Sequence, residues 1–350
     1  MADLLPQGDP TLFLPTANGT PPLTGRLRAT PEDFVVEEVL GYAPTGSGEH
    51  AFLVVRKRDR NTHDVARALA RLAGVSQVAV GYAGLKDRQA VATQAFSVHL
   101  PGRESPDWTP LLDESLEVLE ATRHDRKIRR GSLRGNRFEI TVKDVEGDRD
   151  VAEARLHALR EQGVPNYFGS QRFGHEGGNL SQVADLFAGR RTRIKRELRG
   201  LLLSAARAHL FNLVLARRVE QHSWASAGSG DVLLLAGAGR QFAFDPEDSS
   251  IPERLALMDI HPSAPLCGRR SRSLSATDAV LDLEVSVLEP WQDWVDALAR
   301  NGLDEDRRAL RLTVDGLQWQ WADTDLKLQF ALATGSYATS VLREIVLARA

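Results

Sequence analysis

The sequence predicts a protein of the α+β class, built on a mixed, largely antiparallel sheet. Three observations carry that expectation. Short runs of β-branched and aromatic residues alternate with a few helical segments up to about residue 162. Helical periodicity dominates the middle of the chain, and strand-like runs return close to the C-terminus. Residues 1–24, rich in Pro, Gly and Thr, read as an irregular leader. Residues 34–39 and 51–57 are expected strands, the second after the Gly-rich connection GYAPTGSGEH. Thr62 suits the N-cap of a helix that runs through Val65, Leu69 and Leu72 and stops at Gly74. Strands are expected at 78–82, 93–100, 116–121 and 137–142, and a helix at 151–162. Over 198–219 apolar residues recur at intervals of three and four, the mark of an amphipathic helix. Residues 232–235, 313–314 and 326–332 read as strand, and a last helix begins at about Ala338. The chain shows no internal repeat and no long low-complexity tract.

A chain of 350 residues, 42% hydrophobic and 26% charged, has the composition of a soluble globular protein and is long enough for one large or two ordinary domains. The N-terminal stretch lacks the basic and apolar regions of a signal peptide. No uninterrupted apolar run approaches the roughly 18 residues of a membrane span. With one cysteine, Cys267, no intrachain disulfide can form, which suits the reducing cytoplasm. Nothing around Cys267 lowers a thiol pKa, so it reads as incidental. The net charge of −3 hides strong segregation. Residues 123–137 hold seven basic residues against one Asp, residues 190–199 six against Glu197, and Arg269, Arg270 and Arg272 form a third cluster. Such islands track phosphate in some proteins and are solvated loops in others. Composition leaves that choice open.

The most informative segment is GLKDRQAVATQ, Gly84 to Gln94. It places Asp87 between Lys86 and Arg88, at the end of the apolar run 78–83. That is a poor position for a merely solubilising charge and a good one for an acid presented to a substrate by a rigid scaffold. Taken alone, Asp87 reads more readily as a turn cap or as a partner of Arg88. Lys86 and Arg88 alternate in direction if the backbone is extended and so point away from Asp87, towards phosphate. Glu32, Asp33, Glu37 and Glu38 crowd one segment, but Glu37 and Glu38 fall on opposite faces of a strand. No HExxH or CxxC pattern supports a metal. These acids, His50, His63 and the Gly-rich GHEGGN stretch all read as structural.

The segment GLKDRxAVxTQ closely resembles the signature around the catalytic aspartate of the TruD family of tRNA pseudouridine synthases. PEDFVVEE (31–38), GSGEH (46–50), Asn61-Thr62, GNRF (135–138), GVPNYFGSQRFG (163–174), SAARAHLFN (204–212) and GSYATSVLREI (335–345) match that family in order. The resemblance implies a pseudouridine synthase-like catalytic domain formed by residues 1–162 and 312–350, with an α/β insertion at 163–311. It implies conversion of uridine-13 in tRNA to pseudouridine by one acid, with neither metal nor organic cofactor and no obligatory protein partner. Asp87 is the matching acid. Phe34, Asn136 and Tyr337 match substrate-contacting positions, with Phe138 a further member. Arg28 stands where the family usually carries a basic residue and is the expected counter-charge of Asp87. Tyr337 departs from the family's frequent Phe, keeping the ring and adding a hydroxyl. RNA is expected in the cleft between catalytic domain and insertion, with shape, phosphates and unstacked bases recognised. The same residues leave two rival readings, a tRNA-remodelling protein whose catalysis is dispensable and an RNA N-glycosylase.

Overall fold

The computed structural model describes residues 5–190 and 193–349. Strands β1 (Leu23–Leu27), β2 (Phe34–Leu40) and β3 (His50–Arg58) lead into helix α1 (Thr62–Leu72). Then come β4 (Val80–Tyr82), β5 (Val91–His99), β6 (Leu116–His124) and the long β7 (Leu133–Gly147). Helix α2 (Arg149–Gln162), β8 (Val164–Pro165), α3 (Gly178–Phe187) and α4 (Arg196–Glu220) follow, succeeded by β9 (Val232–Leu235), β10 (Gln241–Ala243) and α5 (Ile251–Ala256). Next are β11 (Ile260–Leu266), α6 (Asp278–Leu288), α7 (Gln292–Arg300), β12 (Asp306–Ala309) and β13 (Arg311–Leu312). The chain closes with β14 (Asp315–Ala322), β15 (Asp325–Ala333), α8 (Ala338–Leu342) and β16 (Val346–Arg349).

Packing divides the chain into two units. The sheet unit comprises Pro22–Arg149, Val314–Gly335 and Val346–Ala350; the helical unit comprises Met1–Pro21, Asp150–Thr313 and Ser336–Ile345. By packing, then, residues 5–21, 150–162 and 336–345 group with the helices, where the sequence-based bounds put them with the catalytic fold.

The sheet unit is one ten-stranded sheet in the order β14-β15-β7-β2-β5-β3-β6, with β1 joining β7 to β16 and β4 edging β5. Only the β2–β5 and β1–β16 pairs are parallel, so the sheet is largely antiparallel, as expected. One face is covered by α1, whose Val65, Ala66, Leu69 and Ala70 fall on one stripe and meet Leu53, Val55, Phe96 and Val98 of the strands. Gly135 is needed for close approach of β7 and β15. A Cβ there would stand 2.4 Å from the Leu332 carbonyl oxygen. The helical unit is cored by α4, whose Leu202, Ala206, Leu210 and Phe211 pack with Phe173 and Trp294. That helix has the length and hydropathy to cross a membrane, but 61% of its apolar window is buried in this core.

The elements differ from expectation at identifiable points. Residues 313–314 link β13 to β14 rather than forming a strand. Residues 77–79 form a 3-10 turn before β4, leaving Val78 81% exposed. Thr62 is the first helical residue of α1 and Asn61 the N-cap, because the Thr62 hydroxyl is engaged elsewhere, donating to Gln94 Oε1 at 3.0 Å. Strands β1 and β16 were not expected. Each is short, and each is defined by its partner rather than by its own pattern.

Candidate active site

Segments of the sheet unit distant in sequence meet at Asp87, among them those carrying Arg28 and Lys57. In PEDF, Pro31 opens a 3-10 turn, and the Asp33 carboxylate accepts from the Thr30 amide (2.7 Å) and hydroxyl (3.1 Å), closing a capping box. The turn delivers Phe34 to the start of β2. Arg28, just before it, holds a left-handed backbone at φ 57°. Such a conformation is unfavourable for a residue with a Cβ and tends to persist where surroundings enforce it, often at functional sites. It turns the Arg28 guanidinium over the Phe34 ring, 4.2 Å from its centroid, and Nη2 donates to Asp87 Oδ2 at 2.6 Å. Both side chains of the pair are about a quarter to a third exposed, 26% and 30%. Arg28 and Asp87 thus form an ion pair.

Asp87 lies in irregular backbone between β4 and β5, and that backbone is pinned by buried polar side chains. Lys86 Nζ donates to Glu38 Oε1 at 2.8 Å, the two side chains being 7% and 1% exposed. Glu38 also accepts from Gln94 Nε2 and the Ala95 amide, both at 3.2 Å. Gln94 Nε2 donates to the Gly84 carbonyl at 2.7 Å, and Thr62 Oγ1 accepts the Lys86 amide at 3.0 Å. This corrects the expectation for Lys86, which points inward to Glu38 and not towards phosphate. Arg88 does face solvent and pairs with Asp59 at 3.2 Å. A carboxylate at 38 was legible as buried only through its register, since Glu37 on the other face pairs with exposed Arg137.

The register of β2 against β7 sets Phe34 opposite Ile140, Val36 opposite Phe138 and Glu38 opposite Asn136. Cross-strand partners share a face, so Asn136, Phe138, Phe34 and Glu38 line one side of the sheet. Phe138 meets Phe34 edge-on at 6.0 Å and Phe330 at 5.4 Å. Both Phe34 and Phe138 are buried, at 4% and 7% exposed. The Asn136 side-chain oxygen is shielded from solvent without a hydrogen-bond partner, an arrangement that costs free energy unless a ligand supplies a donor.

Tyr337 belongs to the helical unit. Its hydroxyl accepts from Arg172 Nη2 at 2.8 Å and Nε at 3.1 Å, while Arg172 Nη1 donates to Ser204 at 3.1 Å. Phe168 lies edge-on to the Tyr337 ring at 6.2 Å. Its backbone is clamped at both ends by Asn212, through Oδ1 at 2.9 Å and Nδ2 at 3.0 Å. The hydroxyl that distinguishes Tyr337 from Phe thus has a definite partner. Arg308 stacks over Phe168 at 4.1 Å, and burial lowers its pKa to about 10.

Several basic residues of the 123–137 island have structural roles. Arg123 donates to the Gly48 carbonyl at 2.9 Å, Lys127 bonds the Val78 carbonyl, and Arg137 pairs with Glu37. Arg129 and Arg134 are exposed, and Arg130 stacks on Tyr82 at 4.5 Å. In the 190–199 island Arg190 pairs with Asp185 and Arg199 bonds Asn301; residues 191 and 192 lie outside the described residues. Arg269 pairs with Asp304. Cys267 is buried, which pushes its thiol pKa up to about 12 and leaves it inert. His50 stacks on His99 at 4.6 Å. The sequence reading missed Lys57, which touches the Asp87 backbone. Its signal was the inward phase of Ala51, Leu53 and Val55, which Lys57 continues.

The profile of the family described as tRNA pseudouridine synthase D (TruD) matches residues 15–191 and 178–345. Among curated relatives, tRNA pseudouridine synthase D of Methylococcus capsulatus is 51% identical, covering 95% of this chain and 94% of its own. The protein of the same name from Xanthomonas oryzae pv. oryzae is 44% identical, over 96% and 95%. A crystal structure titled as a putative tRNA pseudouridine synthase D from Methanosarcina mazei superposes with a TM-score of 0.72 at 22% identity, covering 94% of this chain and 95% of its own; it bears on the fold alone. The fold, the ordered motifs and relatives of matching length agree: the chain belongs to the TruD family of tRNA pseudouridine synthases.

Proposed function

We propose that this protein acts in the cytoplasm to isomerise uridine-13 of tRNA to pseudouridine, with Asp87 as the reacting acid and without metal or organic cofactor. The observation that carries the reading is the Asp87 carboxylate, sitting on the family's signature and gripped at 2.6 Å by Arg28. The reaction breaks the C–N glycosidic bond, turns the base and joins its C5 to the same ribose, so it requires neither redox change nor energy source. Asp87 serves either by attacking C1′ or by taking the C2′ proton. Both routes need an ionised carboxylate, and the Arg28 guanidinium pairs with it. A base inside folded RNA has to be extruded first and gripped by stacking and polar contacts. Asn136 offers a buried acceptor for an N–H of the base. Phe34, buried under Arg28, backs the ion pair, with Phe138 behind it. Nucleoside analysis of treated tRNA tests the reading. Pseudouridine at position 13 supports it, whereas free uracil would indicate a glycosylase and unchanged nucleosides a binding protein.

Two smaller effects follow. Phe34→Leu keeps an apolar side chain in place but removes the face beneath Arg28. A cation–π contact of about 0.5–2 kcal/mol corresponds to a roughly two- to 30-fold fall in kcat, with tRNA affinity kept; an unchanged kcat would reduce Phe34 to core packing. If the exposed part of the 123–137 island touches phosphate, neutralising Arg129 and Arg130 should lower the log–log salt slope of tRNA binding by roughly 1.5 to 2. An unaltered slope would make the island a solvated loop.

A further inference from the structure

Lys57 is wholly shielded from solvent, although its neighbours Arg56 and Arg58 on β3 are exposed. Taking an ammonium out of water is unfavourable unless acceptors surround it. Nζ finds two main-chain carbonyls, Arg60 at 2.6 Å and Asp87 itself at 2.7 Å. Burial brings the Lys57 pKa down to about 8; the carboxylates of Asp87 and of Asp59 oppose that shift, and Lys86 adds to it. An apolar residue would fill the same inward position of β3 without this desolvation. What an apolar residue cannot do is hold a carbonyl in a stretch of chain that has no strand or helix bonds of its own.

We propose that Lys57 is a positioning residue for the reaction: its buried ammonium ties the main chain of residue 87 to the end of β3, so that the Asp87 carboxylate keeps its aim at Arg28 and at the ribose. The inference rests on Asp87 being the reacting group. Lys86–Glu38 and Gln94–Gly84 fix the chain before the acid, and Lys57 fixes it at the acid. The Asp87 carboxylate in turn favours the charged form of Lys57.

The test pairs Lys57→Met, which keeps the stem and removes the amine, with an NMR titration of the lysine side chains. A misplacement of about 1 Å lowers rate on the order of 100-fold, so kcat should fall by roughly 10- to 100-fold while tRNA affinity stays within about twofold. With six lysines in the chain, the 13Cε signal titrating near 8 is recognisable even if the Met variant does not fold. That midpoint should drop in Asp87→Asn, because the anion that favours the ammonium has gone. A purely structural lysine would leave kcat of the folded Met variant within about threefold of wild type, and that result would overturn the proposal. So would a Lys57 midpoint unmoved by Asp87→Asn. An active Asp87→Asn enzyme overturns the assignment of the acid instead, and is read independently of either Lys57 result.

Discussion

Asp87→Asn should abolish pseudouridine formation while leaving the protein folded and binding tRNA. The substitution keeps size and polarity but removes the charge required both for attack on C1′ and for abstraction at C2′. The fold should survive because the turn is held through its backbone: Lys57 grips the carbonyl of residue 87, and the adjacent Lys86–Glu38 pair is untouched. The lost ion pair is partly exposed, which limits its contribution to stability. Binding should hold or tighten slightly, since an anion near the RNA backbone has gone. Asp87→Glu should also fail, its added methylene displacing the oxygen by about 1 Å at a cost on the order of 100-fold. The measurement is nucleoside analysis of tRNA after incubation with purified variant, checked for host enzyme and for deamidation back to Asp. Substantial pseudouridine from a clean preparation would sink the mechanism.

The second large effect is expected at Arg28. Arg28→Met keeps an apolar stem near Phe34 but removes the guanidinium that meets Asp87 at 2.6 Å. Hydrogen bonds to charged groups contribute about 1.5–3 kcal/mol, which corresponds to roughly a 10- to 150-fold loss in kcat. Arg28→Lys restores the charge and should recover much of the activity, though without the planar contact over the Phe34 ring. Affinity for tRNA should change little, because the guanidinium is engaged with the acid. Equal losses in kcat and affinity for the Met variant would instead assign Arg28 to RNA binding.

The residues proposed for the site were singled out by short motifs, each local in sequence, and by the family resemblance those motifs carry. Asp87 stands at the end of an apolar run, and Phe34 opens a strand after a turn whose capping residues are local. Arg28 precedes that same turn. What stayed hidden depends on distant neighbours. Glu38 and Lys57 look like ordinary strand charges until the register shows which face each occupies. Thr62 reads as a helix cap because Ser and Thr favour that place, yet its hydroxyl serves the Asp87 loop and a residue of β5. Residues 313–314 carry a strand-like pair but fall between strands, and β16 follows a short helix with no pattern of its own. Local propensity reports the first kind of information and is silent on the second.

The pairing of β7 with β15 bears on how the protein is made. Asn136 sits on a strand whose ladder partner, Leu332, is 196 residues later in the chain. At about 5–20 residues per second of synthesis, the ribosome needs roughly 10–40 s to deliver it. Through that interval β7 has its β2 neighbour but lacks its outer one, and β1 awaits β16. Strand pairings of such separation also form slowly because loop closure comes first. The nascent chain therefore carries its acid, its counter-ion and an incomplete sheet edge well before it carries a finished site. Premature termination between β7 and β15 would release a polypeptide with Asp87 and Arg28 both present and an unpaired strand open to aggregation.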